Sequence, residues 1–118
     1  MTRAAFAAAA LVACAATPAL AHEIPVNTGE GLLRNCTLKD DGAGEVEHHL
    51  GLCLGFVKGV TNTLAAQRQL KVCPPATLGN DDLLMAVVSR MKLLPADLMR
   101  ESSAIIVQTA LEDAFRCS

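Results

Sequence analysis

Apolar residues recur along much of this chain at spacings of three and four. The longest such series is Val46, Leu50, Cys53, Val57, Val60 and Leu64, the seam of an amphipathic helix. Cys73-Pro74-Pro75 cannot continue a helix, so this one should end near Leu70. Upstream, a short helix over residues 28–36 has Asn27 or Thr28 in its capping position. Between the two, Lys39-Asp40-Asp41-Gly42-Ala43-Gly44 joins charges to turn formers and predicts an exposed loop. Residues 22–27, with Pro25, read as an unstructured lead-in. A third helix fits residues 78–93, opened by Thr77 or Asn80, with Asp81 and Asp82 placed to complement the positive end of its dipole. Leu84, Val87, Val88 and Met91 share its apolar face. Pro95 breaks the chain and opens a fourth helix that runs to about Phe115, with Val107, Ala110, Leu111, Ala114 and Phe115 as its inward stripe. Strand alternation is absent. The expected fold is all-α, a small bundle of about four helices.

The first residues follow a different pattern. Arg3 precedes an apolar run from Ala4 to Ala16, and Ala19-Leu20-Ala21 supplies a small-x-small triplet. That is the layout of a secretory signal peptide, and the run is too short to cross a bilayer as a helix. The expected division is therefore a signal peptide over residues 1–21 and a single helical domain over 22–118, acting in the periplasm. Leu11-Val12-Ala13-Cys14 forms a rival lipoprotein box that would lipidate Cys14, but the Ala-x-Ala site is favoured.

Removing the signal leaves Cys36, Cys53, Cys73 and Cys117, an even set in a short exported chain, which marks a disulfide framework. With no Trp or Tyr and only three Phe, the core must be aliphatic, and the disulfides carry much of the stability. If successive helices alternate in direction, the second and fourth run parallel and bring Cys73 and Cys117 to one end. A Cys53–Cys117 bond would then have to span on the order of 25 Å of helix, against a Cα–Cα limit of about 7 Å. The pairing Cys36–Cys53 with Cys73–Cys117 is favoured on that arrangement.

Charge adds little. Ten Lys/Arg, of which Arg3 leaves with the signal, stand against twelve Asp/Glu, so neither nucleic acid nor, after signal cleavage, a membrane surface is implied as partner. Gly51, Gly55 and Gly59 lie four apart inside the second helix, where each costs about 1 kcal/mol relative to alanine. Close approach of a neighbouring helix within the chain is the favoured compensation, and a homodimer seam is the alternative. No catalytic constellation, cofactor motif or metal site emerges. His48 and His49 point about 100° apart on a helix, and Cys53, four residues beyond His49, is lost as a ligand once oxidised. These histidines read as a solvated helix start, and a copper site at an N-terminal His22 lacks further ligands. The paired acids Asp40, Asp41, Asp81, Asp82, Glu112 and Asp113 read as solvated loop or helix-end groups.

Four segments resemble the Rap/Tai family of type VI secretion amidase immunity proteins. They are Cys53-Leu54-Gly55-Phe56-Val57-Lys58-Gly59-Val60, Val72-Cys73-Pro74-Pro75, Leu94-Pro95, and Ala110-Leu111-Glu112-Asp113-Ala114-Phe115-Arg116-Cys117. The family pattern often has Tyr at Phe56, Asp at Asn62 and Pro at Arg116. The resemblance implies a periplasmic helical protein, often dimeric, that is no enzyme, needs no cofactor, and binds an imported peptidoglycan amidase to occlude its cleft. Candidate toxin-binding residues are Lys39, Asp40, Asp41, Glu45 and Glu47 first, then Asn80 and Asp81 within residues 77–82. Two other classes remain open: a small periplasmic acid-stress chaperone, and a small metal-binding protein using His22, His48 and His49.

Overall fold

The computed structural model describes residues 23–39 and 44–118, and in these it holds four α-helices and one 3₁₀ turn. The expected signal peptide, Cys14 and His22 lie outside the described residues, as do Asp40 and Asp41. Helix α1 spans Gly29–Thr37 and is capped by Thr28, whose Oγ1 accepts from the Gly31 amide at 3.2 Å. Glu30 in its first turn and Arg34 in its last complement the helix dipole. Helix α2, Glu45–Ala66, follows Gly44, whose left-handed φ of 74° favours glycine.

Helix α2 stops short of the expected Leu70. Arg68 adopts a left-handed φ of 56°, its amide donates to Ala65 O at 3.0 Å, and the Gln69 amide donates to Leu64 O at 2.9 Å. That pair of bonds is the Schellman closure, here with an arginine in the position that glycine usually holds. Helix α3 covers Asn80–Met91 rather than 78–93. Gly79 occupies its N-cap without a side-chain bond, so neither Thr77 nor Asn80 caps it, while Asp81 and Asp82 do fall in its first turn.

The largest departure concerns Pro95. It opens only a 3₁₀ turn, Leu98–Arg100, and helix α4 begins later, at Ser103, and ends at Ala114. The reason is a long-range pairing. Glu101 is extended, Thr28 and Ser102 form an antiparallel bridge, the Gly29 amide donates to Glu101 O at 3.2 Å, and the Ser103 amide donates to Asn27 O at 3.0 Å. Continuous helix through residues 101–102 would forfeit all of these bonds. The lead-in is accordingly irregular but pinned, rather than unstructured.

One core unites the helices: Leu32 and Cys36 from α1, Cys53 and Val57 from α2, Val87 and Met91 from α3, Met99, and Ile106, Val107, Ala110 and Leu111 from α4. Leu50, expected in the α2 seam, is exposed instead. Helices α2 and α4 run in the same direction, since Phe56 and Val60 lie with Ala104 whereas Thr61 and Ala65 lie with Leu111 and Phe115. Helix α3 crosses the second half of α4, with Arg90 paired to Asp113 at 3.2 Å. Disulfides join Cys36 to Cys53 and Cys73 to Cys117, with Cα–Cα separations of 5.2 and 4.9 Å. They close loops of 17 and 44 residues, for which loop-closure entropy gives about 3 and about 4 kcal/mol.

Gly51, Gly55 and Gly59 are all exposed, and a Cβ on any of them would meet nothing of its own chain within 4 Å. The close helix approach expected inside the chain is therefore not what they serve. The packing instead requires glycine most at Gly31, where a Cβ would sit 1.8 Å from Pro25 O, and leaves little room at Gly29, where it would sit 3.0 Å from Met99 O. Urea denaturation of single variants separates these cases. Gly31→Ala should lose about 1–3 kcal/mol by forcing the lead-in away. Gly59→Ala should gain about 1 kcal/mol through helix propensity. Equal effects of one sign at both positions would contradict this packing.

Candidate functional site

The head of α2 meets α1 and the lead-in around a buried polar joint. Asn35 is fully buried, and its Nδ2 donates to Ile24 O at 3.1 Å and to Gly31 O at 2.9 Å. Two carbonyl partners on one side fix the orientation of the amide, so Oδ1 faces His49 Nδ1 at 2.6 Å. An amide oxygen can only accept, which places a proton on His49 Nδ1 and leaves Nε2 as the second ring nitrogen. His49 is itself 6% exposed, so it is a core histidine and not part of a solvated helix start. His48 beside it is exposed, its ring edge-on to His49 with centroids 5.6 Å apart. A third polar side chain, Ser103, is buried where α4 begins and donates its hydroxyl to Val26 O.

This joint backs a cleft of about 440 Å³ whose walls include Glu23, Pro25, Glu45, His48, His49 and Leu52. Its lining joins the carboxylates of Glu23 and Glu45 and the two imidazoles to the apolar side chains of Ile24, Pro25, Val26 and Leu52. The chemistry for catalysis is thin. Cys53 is oxidised, and among the described residues no group of three or more His, Cys, Asp or Glu is placed to hold a metal ion. No helix among them is long and apolar enough to cross a membrane.

The candidate binding residues do not form one footprint. Lys39, Glu45 and Glu47 are exposed, and Asp40 and Asp41, between them in sequence, lie outside the described residues. Asn80 and Asp81 are exposed at the start of α3, next to Leu78 and Leu83, which share a cavity with Thr61 and Ala65 near the far end of α2. The intervening helix, at 1.5 Å per residue, puts about 25 Å between the two groups. Of the remaining acids, Asp113 pairs with Arg90 at 3.2 Å and Arg116 at 2.5 Å, and Glu112 accepts from Gln108 at 3.0 Å. Sequence reasoning missed Asn35, His49 and Ser103. A signal existed for two of them: Asn35 lies three beyond Leu32 and beside Cys36, and His49 precedes Cys53 and Val57 at intervals of four.

The model of one protein family, described as Rap1a immunity proteins, matches residues 28–117, which takes in all four helices and both disulfides. No curated protein matches the chain.

Truncating the joint should be costly. Asn35→Ala leaves Ile24 O, Gly31 O and His49 Nδ1 without their partner, and should lose about 2–4 kcal/mol in urea denaturation. The double variant Asn35→Leu with His49→Phe removes donor and acceptor together. It should lose less than Asn35→Ala alone, and the reverse order would show that the joint is not a hydrogen-bonded unit.

Proposed function

The chain belongs to the Rap1a immunity protein family, and from that premise we propose that it is exported, loses residues 1–21, and in the periplasm binds and occludes a peptidoglycan amidase delivered by type VI secretion. The observation that carries this reading is the family match across the whole helical domain, since an immunity family is not an enzyme family. The two disulfides fit an oxidising compartment. Occlusion asks for a rigid surface rather than reactive groups, and a stapled, preorganised scaffold loses little entropy on binding.

The contact surface we favour is the head of α2, where Glu45 lines the cleft and Lys39 and Glu47 are exposed, with Asp40 and Asp41, outside the described residues, as further candidates. Its acidic excess suits a basic rim on the amidase, and complementary charge acts chiefly on the rate of association. Asn80 and Asp81 form the second choice. The chain pairs with a second copy along the exposed α2 face of Gly51, Gly55 and Gly59, where nothing of its own chain approaches within 4 Å.

The test is a titration of the purified chain into the amidase encoded beside it. Peptidoglycan cleavage should vanish at near-stoichiometric amounts, and sedimentation of the mixture should show the chain entering the complex as a pair. Glu45→Gln with Glu47→Gln should slow association severalfold, with only the small fall in melting temperature that loss of two carboxylates from the first turn of α2 brings. A folded chain that leaves the amidase fully active would end the immunity reading.

A further inference from the structure

The connection between α2 and α3, residues 67–79, is long for a helix–helix link, which commonly takes about 2–8 residues. It is also firmly held. Leu70 and Val72 pack half-buried against the core, the Cys73 amide donates to Phe115 O at 2.8 Å, and Cys73 is bonded to Cys117. Fixed in this way, the link arches over a cavity of about 510 Å³ walled by Ala65, Leu70, Val72, Leu83, Leu111 and Phe115. The size falls within the usual range for a small-molecule site, about 300–1,000 Å³.

The lining has one charge. Arg68 stands at its edge, and the one hydroxyl in the wall, Thr61 Oγ1, is spent on Val57 O at 2.7 Å. Arg68 also holds the left-handed φ of 56° that closes α2. Glycine adopts that conformation more readily, and arginine in its place puts a cation in the lining of an otherwise apolar cavity. An apolar interior beside a single guanidinium matches an apolar chain ending in one negative charge. A planar carboxylate suits the fork of an arginine.

We propose that this cavity binds the acyl chain of a fatty-acid-like monocarboxylate, with Arg68 pairing its carboxylate at the mouth. The site lies at the opposite end of α2 from the acidic cleft and does not depend on the amidase reading.

Calorimetric titration of the purified chain with decanoate, laurate and decanol, each below its aggregation limit, tests this directly. Decanoate should bind saturably at one per chain. Laurate, two methylenes longer, should bind about tenfold tighter. Arg68→Gly should raise the melting temperature by relieving the backbone, yet weaken decanoate about tenfold while leaving decanol unchanged. A purely structural Arg68 would give the first effect without the second. Ala65→Trp, from an exposed helical position on the cavity wall, should abolish binding of all three ligands. If that variant fails to fold, methyl NMR shifts on adding laurate to the unaltered chain replace it. Shifts centred on Leu70, Val72 and Leu83 support the site, and shifts centred elsewhere overturn it. Absence of saturable carboxylate binding, binding that survives a folded Ala65→Trp, or equal loss of decanol and decanoate in Arg68→Gly each overturns it as well.

Discussion

Asn35, with no exposure to solvent, reaches Ile24 in the lead-in, Gly31 one turn back in α1, and His49 in α2 through the two ends of one amide. The next residue, Cys36, is bonded to Cys53, one turn beyond His49. Amide and disulfide therefore act on the same two helical turns and fix α1 against α2 in both distance and rotation. An aliphatic core could slide or rotate at small cost, because apolar contact is not directional. A buried amide cannot, because each misplaced bond strands a polar atom away from water. The position of the lead-in, and with it one wall of the acidic cleft, follows from this joint.

The lead-in then dictates where α4 starts. Thr28 bridges Ser102, Asn27 O accepts from the Ser103 amide, and Val26 O accepts from the Ser103 hydroxyl. Chain segments more than seventy positions apart are held side by side, and the 3₁₀ turn with buried Met99 fills the space before α4 resumes. At the other end of the bundle, Cys73–Cys117 ties the α2–α3 link to the C-terminus. The two ends of α2 are thus stapled separately, one beside the cleft that Glu23 and Glu45 line and one beside an apolar cavity. The Arg90–Asp113–Arg116 cluster is half-exposed and adds little to either.

The helices were legible because their apolar spacing and their breakers are local signals. Val57, Val87, Met91, Val107, Ala110 and Leu111 are buried where the pattern placed them. The parallel course of α2 and α4, and hence the meeting of Cys73 with Cys117, was expected from helices that alternate in direction, although the links at residues 67–79 and 92–102 are longer than that expectation supposed. What could not be read was anything set by partners distant in sequence. The start of α4 depends on residues 26–28, and the burial of His49 depends on Asn35, so neither is visible in its own neighbourhood. The left-handed Arg68 was hidden because glycine, not arginine, is the usual mark of that closure. The exposed face of Gly51, Gly55 and Gly59 was misread as an internal contact, because spacing alone does not say whose helix approaches. At the candidate site, Lys39, Glu45 and Glu47 are exposed as charged residues at a helix start should be. That exposure does not identify what they meet.

If the chain occludes an amidase as proposed, the pinned head of α2 is the surface that closes on it. Hydrogen–deuterium exchange of the chain, free and with the amidase bound, addresses it directly. The account predicts new protection at residues 44–52 and in the lead-in at 23–27, with exchange at residues 77–82 unchanged. Protection confined to residues 77–82, or none anywhere while the amidase is inhibited, would contradict it.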